Sequence, residues 1–406
     1  MKNVKDYGAA GDGKTLDTAA IQKAVDSGGM VYIPKGVYIT GTIYLKSNGG
    51  LHLAPGAVLK GSTDRTHYNK DAFCPQNEVF ASERVTGAHL IAAVQQENIV
   101  IEGAGTIDGS GRYWLNEKHL IPKTEDYYPY LSERPGQMMY FCECKNVHIN
   151  GVNIKNAPYW HLFFHGCEEV FASGLTIKGD RTRWTNDGID IDCCKRVAVS
   201  DCIIDVGDDA ITLRANKGRL LNSDGICENV TITNCSLYSY NDYGIRVGVG
   251  GGEIRRCLIS NVSIEAAHRS AVGIMSRWSK TSVNAVTVHG ILFQNIIAAA
   301  PRPIEIITSF GETHIDGEYG IENISFNSCI FKTYENNVIC GFEGRLKNIF
   351  LNNSVICFEK TPHKNKIEIF RDIKRGTPLF IKDAENVFLN NIFAEYEGGA
   401  AVLLKK

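Results

Sequence analysis

Three neighbouring segments, NVHINGVNIKNAP (residues 146–158), EVFASGLTIKGD (169–180) and RVAVSDCIIDVGDD (196–209), repeat one pattern. Each opens with a short strand of alternating apolar and polar residues, turns at a glycine or a small polar residue, and continues as a second short strand. Alternation with a period of two gives each strand one buried side and one solvent-facing side. Further copies lie at 98–111 and from 229–242 to residue 399, so the repeat fills most of the chain.

These repeats predict a solenoid built of strands. Ankyrin, TPR or HEAT repeats would show amphipathic helices, and propeller blades would show antiparallel hairpins about every 40 residues; the sequence has neither pattern. We therefore predict an all-β protein with a single domain over residues 1–406, a right-handed, single-stranded parallel β-helix. Residues 1–62 are predicted to form the N-terminal cap and first coils, and residues 359–381 a charged excursion in the last coils.

The N-terminal cap is predicted to contain one short helix over residues 15–28, started by Asp17 or Thr18. Elsewhere asparagines recur at the turns, where stacked coils would let their side-chain amides form ladders. These asparagines are Asn150, Asn234, Asn261, Asn295, Asn327, Asn352 and Asn390.

Composition argues against several classes of function. A chain of 406 residues with a net charge of −2 carries no basic footprint for nucleic acid, and no apolar run approaches the roughly 20 residues of a membrane span. The start, MKNVKDYGAAGDGK, has no apolar leader, and the 13 cysteines show no regular Cys-x-x-Cys pairs. These features predict a cytoplasmic protein with free thiols and no metal; the alternative is a secreted protein whose leader has been trimmed.

Acidic residues open two of the central strands at matching offsets, in TNDGIDI (185–191) and GDDAITL (207–213). If Ile189 and Ile211 are equivalent in adjacent coils, about 4.8 Å apart, then Asp187 lies over Asp209 and shares one patch with Asp208. Three carboxylates this close titrate as a coupled group that keeps a proton near neutral pH. The patch is therefore either an acid–base set or a cation site.

Aligning the coils on an inward apolar residue surrounds the acids with other outward side chains. The aligned residues are Leu162, Ile189, Ile211, Ile245, Ile274 and Ile304. The outward face then carries an aromatic platform, an acidic centre and a cationic edge, which suits a glycan because aromatic faces stack on sugar rings and arginine binds carboxylates bidentately. The predicted substrate contacts are Trp160, Trp184, Asn186, Asp190, Arg214, Tyr243, Arg246 and Arg277.

The chain resembles glycoside hydrolase family 28, the polygalacturonase and rhamnogalacturonan hydrolase family, over nearly its whole length. The resemblance is carried by DYGAAGDGKTLDTAAIQKAVD (6–26), GGLHLAPGAVLKGSTD (49–64), IEGAGTIDGSGRYW (101–114), NAPYWHLFFHGCEEV (156–170) and the G-D-D triplet 207–209. The family's N-T-D motif reads Asn-Asp-Gly here, with Thr185 before it. The resemblance implies an inverting hydrolase without a cofactor, in which Asp208 protonates the leaving oxygen while Asp187 and Asp209 activate water.

Two family motifs differ in this chain. At the place of G-H-G stands Asp242-Tyr243-Gly244, and at the place compared with R-I-K stands Met275-Ser276-Arg277, with Arg246 one coil earlier as a replacement charge. These departures favour a rhamnogalacturonan-type or exo-acting enzyme on pectic or other acidic plant-type glycans over a standard endo-polygalacturonase. Loops at 112–138 and 215–228 are predicted to close one end of the cleft, as exo action requires.

Two other classes of function stay open. A polysaccharide lyase on the same solenoid would need a Ca²⁺ site and a basic catalytic residue. A non-catalytic glycan-binding or tailspike-like protein would use the β-helix as a rigid stalk. Structural roles are also open for single residues: the arginines could pair with Asp190 and Asp192, Tyr243 could fill space, and Trp160, His161 and His165 could pack between coils.

Overall fold

The computed structural model describes residues 1–115, 133–277, 283–309, 317–358, 378–395 and 402–405. The chain forms two compact units. Unit 1 comprises residues 1–180, 185–190 and 218–223; unit 2 comprises residues 181–184, 191–217 and 224–406. Each unit consists of parallel strands stacked coil on coil, which confirms the predicted parallel β-helix.

In unit 1 the strands are short and follow one another in a regular order. They are β1 (Lys2–Asn3), β2 (Asp12–Leu16), β3 (Met30–Ile33), β4 (Gly36–Thr40), β5 (Ile43–Tyr44), β6 (Gly49–Leu53), β7 (Ala57–Gly61), β8 (Ile91–Val94), β9 (Glu97–Gly103), β10 (Thr106–Asp108), β11 (Met139–Cys142), β12 (Lys145–Asn150), β13 (Asn153–Lys155), β14 (Leu162–His165), β15 (Glu168–Ser173) and β16 (Thr176–Lys178). From β3 onwards each strand pairs in parallel with the strand three places further along the chain. This pairing makes three strands per coil.

In unit 2 several strands are longer, because they continue around a corner of the coil. After β17 (Ile189–Asp192), which contributes two residues to each unit, come β18 (Lys195–Ser200), β19 (Ile203–Val206), β20 (Ile211–Ala215), β21 (Ile226–Thr233), β22 (Ser236–Ser239), β23 (Tyr243–Gly250), β24 (Glu253–Ala266), β25 (Ser270–Met275), β26 (Thr287–Ala300), β27 (Arg302–Ile307), β28 (Gly320–Asn327), β29 (Ile330–Thr333), β30 (Asn337–Cys340), β31 (Leu346–Phe358), β32 (Leu379–Lys382), β33 (Glu385–Glu395) and β34 (Val402–Lys405). The sheet that matters for function runs β20–β23–β25–β27–β30–β32–β34.

The predicted N-terminal helix is present as α1 (Thr18–Asp26), with Ile21, Ala24 and Val25 buried. Asp17 occupies the cap position, but its carboxylate accepts hydrogen bonds from the Ala10 and Gly11 amides at 2.6 and 2.9 Å instead of capping the helix. The acid therefore ties the first turn of the chain to the helix. In the described part of the chain, no helix has the length and apolar character to cross a membrane.

Asparagine ladders run along the coil corners. In unit 2 the Asn261 amide donates to Asn234 at 3.4 Å and accepts from Asn295 at 3.0 Å, and all three residues have φ between 53° and 55°. Asn tolerates this left-handed backbone better than most residues with a Cβ atom. Asn390 donates to Asn352 in the same way. The predicted ladders are confirmed at these positions.

We expect Asn261→Ala to lower the free energy of unfolding by about 1–2 kcal/mol, because alanine loses both amide bonds and is strained at positive φ. Asn261→Gly loses the same bonds without the strain and should be less destabilised. Urea unfolding followed by circular dichroism measures both variants. Equal losses in Ala and Gly would show that backbone strain contributes nothing.

All 13 cysteines are free, and ten of them are buried. They behave as the small core residues that the sequence predicted. Two other predicted features fall largely outside the described residues: the excursion at 359–381 and the loop at 112–138. The single-domain organisation stays a prediction.

Candidate active site

Three carboxylates of unit 2 lie close together where β20 and β23 begin. One oxygen from each of Asp208, Asp209 and Asp242 lies within 4.8 Å of the others. Asp208 and Asp209 come directly before β20, and Asp242 comes directly before β23. Ala210 and Tyr243, at the start of this strand pair, are joined by a backbone hydrogen bond. The pairing of the two strands thus brings two separate acidic sequences together.

Asp209 is fixed by three hydrogen-bond donors. Its Oδ1 accepts from the Tyr243 amide at 3.0 Å, and its Oδ2 accepts from Arg246 Nη1 at 3.1 Å and from the Thr212 hydroxyl at 3.3 Å. The side chain is only 1% exposed. One of these donors is charged, and together the three hold the carboxylate in a fixed orientation. Asp209 is therefore suited to act as a base or as a charge that stabilises a developing cation.

Asp242 belongs to a second layer of charges. Arg269 Nη1 donates to Asp242 Oδ1 at 2.8 Å, and Nη2 donates to Glu305 Oε1 at 3.3 Å. Burial raises the pKa of Asp242 to about 6; Arg269 opposes this rise and the nearby Asp209 adds to it. Burial also raises the pKa of Glu305, but Arg269, Arg302 and two hydroxyl donors outweigh it and hold that pKa below its usual value. At weakly acidic pH, Asp242 is thus the carboxyl that holds a proton and Glu305 is ionised.

Tyr243 lies across this sheet with its hydroxyl turned away from the acids. The hydroxyl donates to Glu305 Oε1 at 3.0 Å, and the ring is fully buried beneath the guanidinium of Arg269, 4.3 Å from its centroid. A Cβ atom at Gly273 would meet the Tyr243 ring at 2.2 Å. Both the ring and the hydroxyl of Tyr243 thus have partners inside the protein, and its contact with substrate stays a prediction.

The strand register corrects the sequence alignment of one coil. Ile245 pairs with Val272, and Val272 pairs with Ile304, so Ile274 is not the equivalent residue. A slip of two residues keeps the apolar alternation intact, which is why the sequence did not reveal it. In the observed register the residue beside Arg246 is Gly273, which has no side chain.

In unit 1, the turn that carries Asp187 is held by buried side chains. Asn186 Nδ2 donates to the carbonyls of Ala157 and Tyr159 at 3.2 and 2.9 Å, and its Oδ1 accepts from the Asp180 amide at 2.8 Å. The Asn186 amide therefore binds the backbone, and its contact with substrate stays a prediction. Asp187 itself is 4% exposed.

His161 supports the same turn. Its Nδ1 lies 2.7 Å from the Asp187 carbonyl oxygen, and its Nε2 accepts from the Ala157 amide at 3.4 Å. A carbonyl oxygen can only accept, so Nδ1 carries the proton. Because Nε2 accepts a hydrogen bond, it carries no proton and the ring is neutral. Both nitrogens are engaged, which gives His161 a structural role.

Arg134 is a buried arginine that the sequence analysis did not identify. Its guanidinium is 0% exposed and donates to the Pro158 carbonyl at 3.1 Å, the Thr185 hydroxyl at 2.9 Å and the Glu83 carbonyl at 2.7 Å. It also lies 5.0 Å from the centre of the Tyr159 ring. Thr185 is two residues before Asp187, so the hydrogen bond from Arg134 to Thr185 helps to hold this turn in place.

The remaining predicted contacts differ in their surroundings. Trp160 is 5% exposed, stacks on Tyr159 at 4.6 Å and lies 5.6 Å from the Phe80 ring. Its role as a sugar platform stays a prediction. Arg214 lies 3.6 Å from Asp192. Trp184, which is 51% exposed, stays a predicted contact, as do the buried Asp190 and Arg277.

Asp208, Asp209 and Asp242 are also the kind of group that can hold a metal ion. Arg246 and Arg269 already pair with two of the three carboxylates. These arginines offset part of the charge that a metal ion would otherwise neutralise.

Residues 32–332 match the model of the glycosyl hydrolases family 28. The chain belongs to that family. A probable polygalacturonase of Vitis vinifera is 31% identical over 222 residues, 52% of this chain and 43% of that protein. An exo-poly-α-D-galacturonosidase of Dickeya chrysanthemi is 26% identical over 337 residues, 72% of this chain and 54% of that protein. The chain therefore spans about half the length of these curated relatives.

A solved structure supports the fold. The hyperthermoactive exopolygalacturonase from Thermotoga maritima superposes with a TM-score of 0.75 at 22% identity, covering 98% of this chain and 94% of the other. At that identity the likeness speaks for the parallel β-helix. Sequence reasoning did not single out Asp242 and Arg269 in this family 28 chain. Their places in the sequence offered a signal, because Asp242 directly precedes Tyr243 and Arg269 lies one coil after Asp242.

Proposed function

We propose that this family 28 protein is an inverting glycoside hydrolase acting on pectic glycans, of the rhamnogalacturonan or exo-acting type. Asp208 would act as general acid, and Asp209 and Asp187 would activate the attacking water. The observation that carries the proposal is the carboxylate cluster of unit 2, in which the buried Asp209 accepts a hydrogen bond from Arg246 beside the more exposed Asp208. Adjacent carboxyls in different environments are the usual arrangement for splitting acid and base roles.

The inverting outcome needs its own test. Inverting enzymes hold acid and base carboxyls roughly 6.5–9.5 Å apart, and retaining enzymes roughly 5–5.5 Å. Single oxygens of Asp208 and Asp209 approach within 4.8 Å, so inversion in this proposal is inferred from the family motifs and not from that distance. Proton NMR of the first-formed product gives the answer: a new reducing end of inverted anomeric configuration is expected, and a retained one would contradict the proposal.

The charges around Asp209 favour a neutral sugar at this place in unit 2. Arg246 pairs with Asp209, and Arg269 pairs with both Asp242 and Glu305. Gly273 has no side chain and is covered by the Tyr243 ring. A uronate here would have to compete with carboxylates that already hold these arginines, whereas a neutral residue such as rhamnose would not. This supports a backbone of mixed uronic acid and neutral sugar over polygalacturonan.

The outward face of unit 1 supports exo action. Tyr140 and Phe163 alternate with the core residues Phe141 and Phe164, yet they are only 2% and 5% exposed. The segment 62–90 covers them: Phe73 packs on Tyr140 at 6.4 Å and Phe80 packs on Trp160. A long glycan cannot lie along a face that the protein itself covers. Of the predicted loops, residues 218–223 also join this cover, through Leu221 and Asn222 amides donating to Glu143.

Digestion of polygalacturonan, rhamnogalacturonan backbone and their short oligomers tests the proposal. We expect reducing ends to appear from the rhamnogalacturonan substrates, released as short products from the start of the reaction and without new ultraviolet absorbance. Early long oligomers would contradict exo action, and preference for polygalacturonan would contradict the neutral-sugar argument.

The same digestion separates the other two classes of function. A lyase would give an unsaturated product that absorbs in the ultraviolet. A glycan-binding protein would release no reducing ends but would be retained on immobilised rhamnogalacturonan. Either result would replace the hydrolase proposal.

A further inference from the structure

Asp242 occupies a place that the proposed mechanism leaves without a role. It stands immediately before Tyr243, at the position compared with the G-H-G motif, and Tyr243 directs its own hydroxyl to Glu305. The tyrosine therefore cannot supply a titrating group beside the acids. Asp242 can, because its carboxylate oxygen lies within 4.8 Å of those of Asp208 and Asp209.

We propose that Asp242 is a positioning residue for the general acid: its carboxylate, set beside Asp208, makes Asp208 keep its proton to a higher pH. This inference rests on the proposed hydrolase function. The physical reason is that a neighbouring negative charge disfavours ionisation of a second carboxyl. In this way Asp242 extends the pH range in which Asp208 can still donate a proton to the leaving oxygen.

Charged groups from every packed element face Asp242. Its own strand, β23, brings Tyr243 and Arg246; the residues before β20 bring Asp208 and Asp209. The residue before β25 brings Arg269, 2.8 Å from Asp242, and β27 brings Glu305, the second partner of that arginine. Arg269 is shared with Glu305, so its charge is not available to Asp242 alone. Arg246 is paired to Asp209, and β27 also brings Arg302, whose charge acts on Glu305. Asp242 therefore shares both of its neighbouring arginines, Arg246 and Arg269, with another carboxylate.

The direction of the pH effect follows from the titration of Asp242. Burial raises its pKa to about 6, so it is neutral below that pH and negative above it. Its charge therefore acts on Asp208 only above about pH 6. Below that pH, where the base must lose its proton, Asp242 adds no charge. The effect is confined to the alkaline limb of the pH–rate profile.

The experiment compares kcat/KM against pH for the full chain and for Asp242→Asn, on whichever pectic oligomer the unmodified protein cleaves. We expect the alkaline limb to move to lower pH by about one unit in Asp242→Asn, with the acid limb unchanged. Asp242→Glu should restore the limb. Asp205→Asn is the matched control: this residue of β19 in the same unit pairs with Arg181 at 2.7 Å and should leave the profile unmoved.

A lower rate with both limbs in place would overturn the inference, since a structural role reduces activity without moving the profile. A shift of both limbs together would also overturn it. If no oligomer is cleaved, the hydrolase proposal fails. The coupling between Asp242 and Asp208 can then still be tested by ¹³C NMR of labelled aspartate carboxyls. The Asp208 carboxyl should titrate at lower pH in Asp242→Asn than in the unmodified protein; equal titration would refute the coupling.

Discussion

Asp208→Asn is expected to lower turnover of a pectic oligomer by about 10²–10⁴-fold, the usual contribution of general acid catalysis. The amide cannot give a proton to the leaving oxygen, while the neighbouring Asp209 keeps its three donors. Asp208 is only half-buried, so circular dichroism and the melting temperature should stay unchanged. Initial rates under saturating substrate measure the effect.

An activated substrate separates loss of the acid from general damage to the site. Cleavage of an aryl glycoside needs little protonation of the leaving group, so Asp208→Asn should lose much less activity on that substrate. Asp205→Asn, the same change at an ion pair on β19, serves as control and should retain full turnover. Wild-type activity in Asp208→Asn would mean that another carboxyl acts as the acid, and Asp242, in the same cluster, would be the alternative.

Arg134→Met is expected to lower the free energy of unfolding by about 3–5 kcal/mol, because the substitution removes a fully buried guanidinium and leaves one buried and two part-buried acceptors without a donor. These acceptors are the carbonyls of Glu83 and Pro158 and the hydroxyl of Thr185. Thr185 leads into the turn that carries Asp187, so turnover should fall at temperatures where the variant is still folded. Urea unfolding and steady-state kinetics measure the two effects.

Two further variants make this result specific. Arg134→Lys keeps the charge, but its single nitrogen cannot reach all the acceptors of the planar guanidinium, so it should recover only part of the stability. Arg112→Met makes the matched change at an exposed arginine of unit 1 and should change stability by less than about 0.5 kcal/mol. A small loss in Arg134→Met would mean that water replaces the guanidinium.

Sequence reasoning reached the fold because the fold depends on local patterns. Alternation, turn residues and the repeat predict parallel coils, and the asparagines at positive φ mark the corners. The same alternation could not fix the register at Ile274, since a shift of two residues leaves every apolar residue facing inward. Family motifs identified Asp187, Asp208 and Asp209 as candidates, but the partners of these acids come from distant coils.

The side-chain contacts that the sequence did not predict share one physical cause. They join segments that are distant in the chain, and neither segment alone indicates its partner. Arg134 precedes Pro158 by 24 residues, and nothing around it predicts a buried guanidinium. Trp160, two residues before β14, was placed on the outward face by the alignment of coils, yet Phe80 from an irregular segment packs against it. The sequence showed that Tyr243 stands where the family motif has histidine. It could not show where the hydroxyl points, because that depends on Glu305, two coils away.

The contact between Tyr243 and Gly273 makes the two positions evolve as a pair. Any side chain at 273 would strike the tyrosine ring at its first carbon, so no larger residue fits there while Tyr243 remains. Replacing the tyrosine by a smaller residue would leave a cavity and deprive Glu305 of a donor. Each single substitution is thus expected to cost stability, so the two positions are constrained to change together.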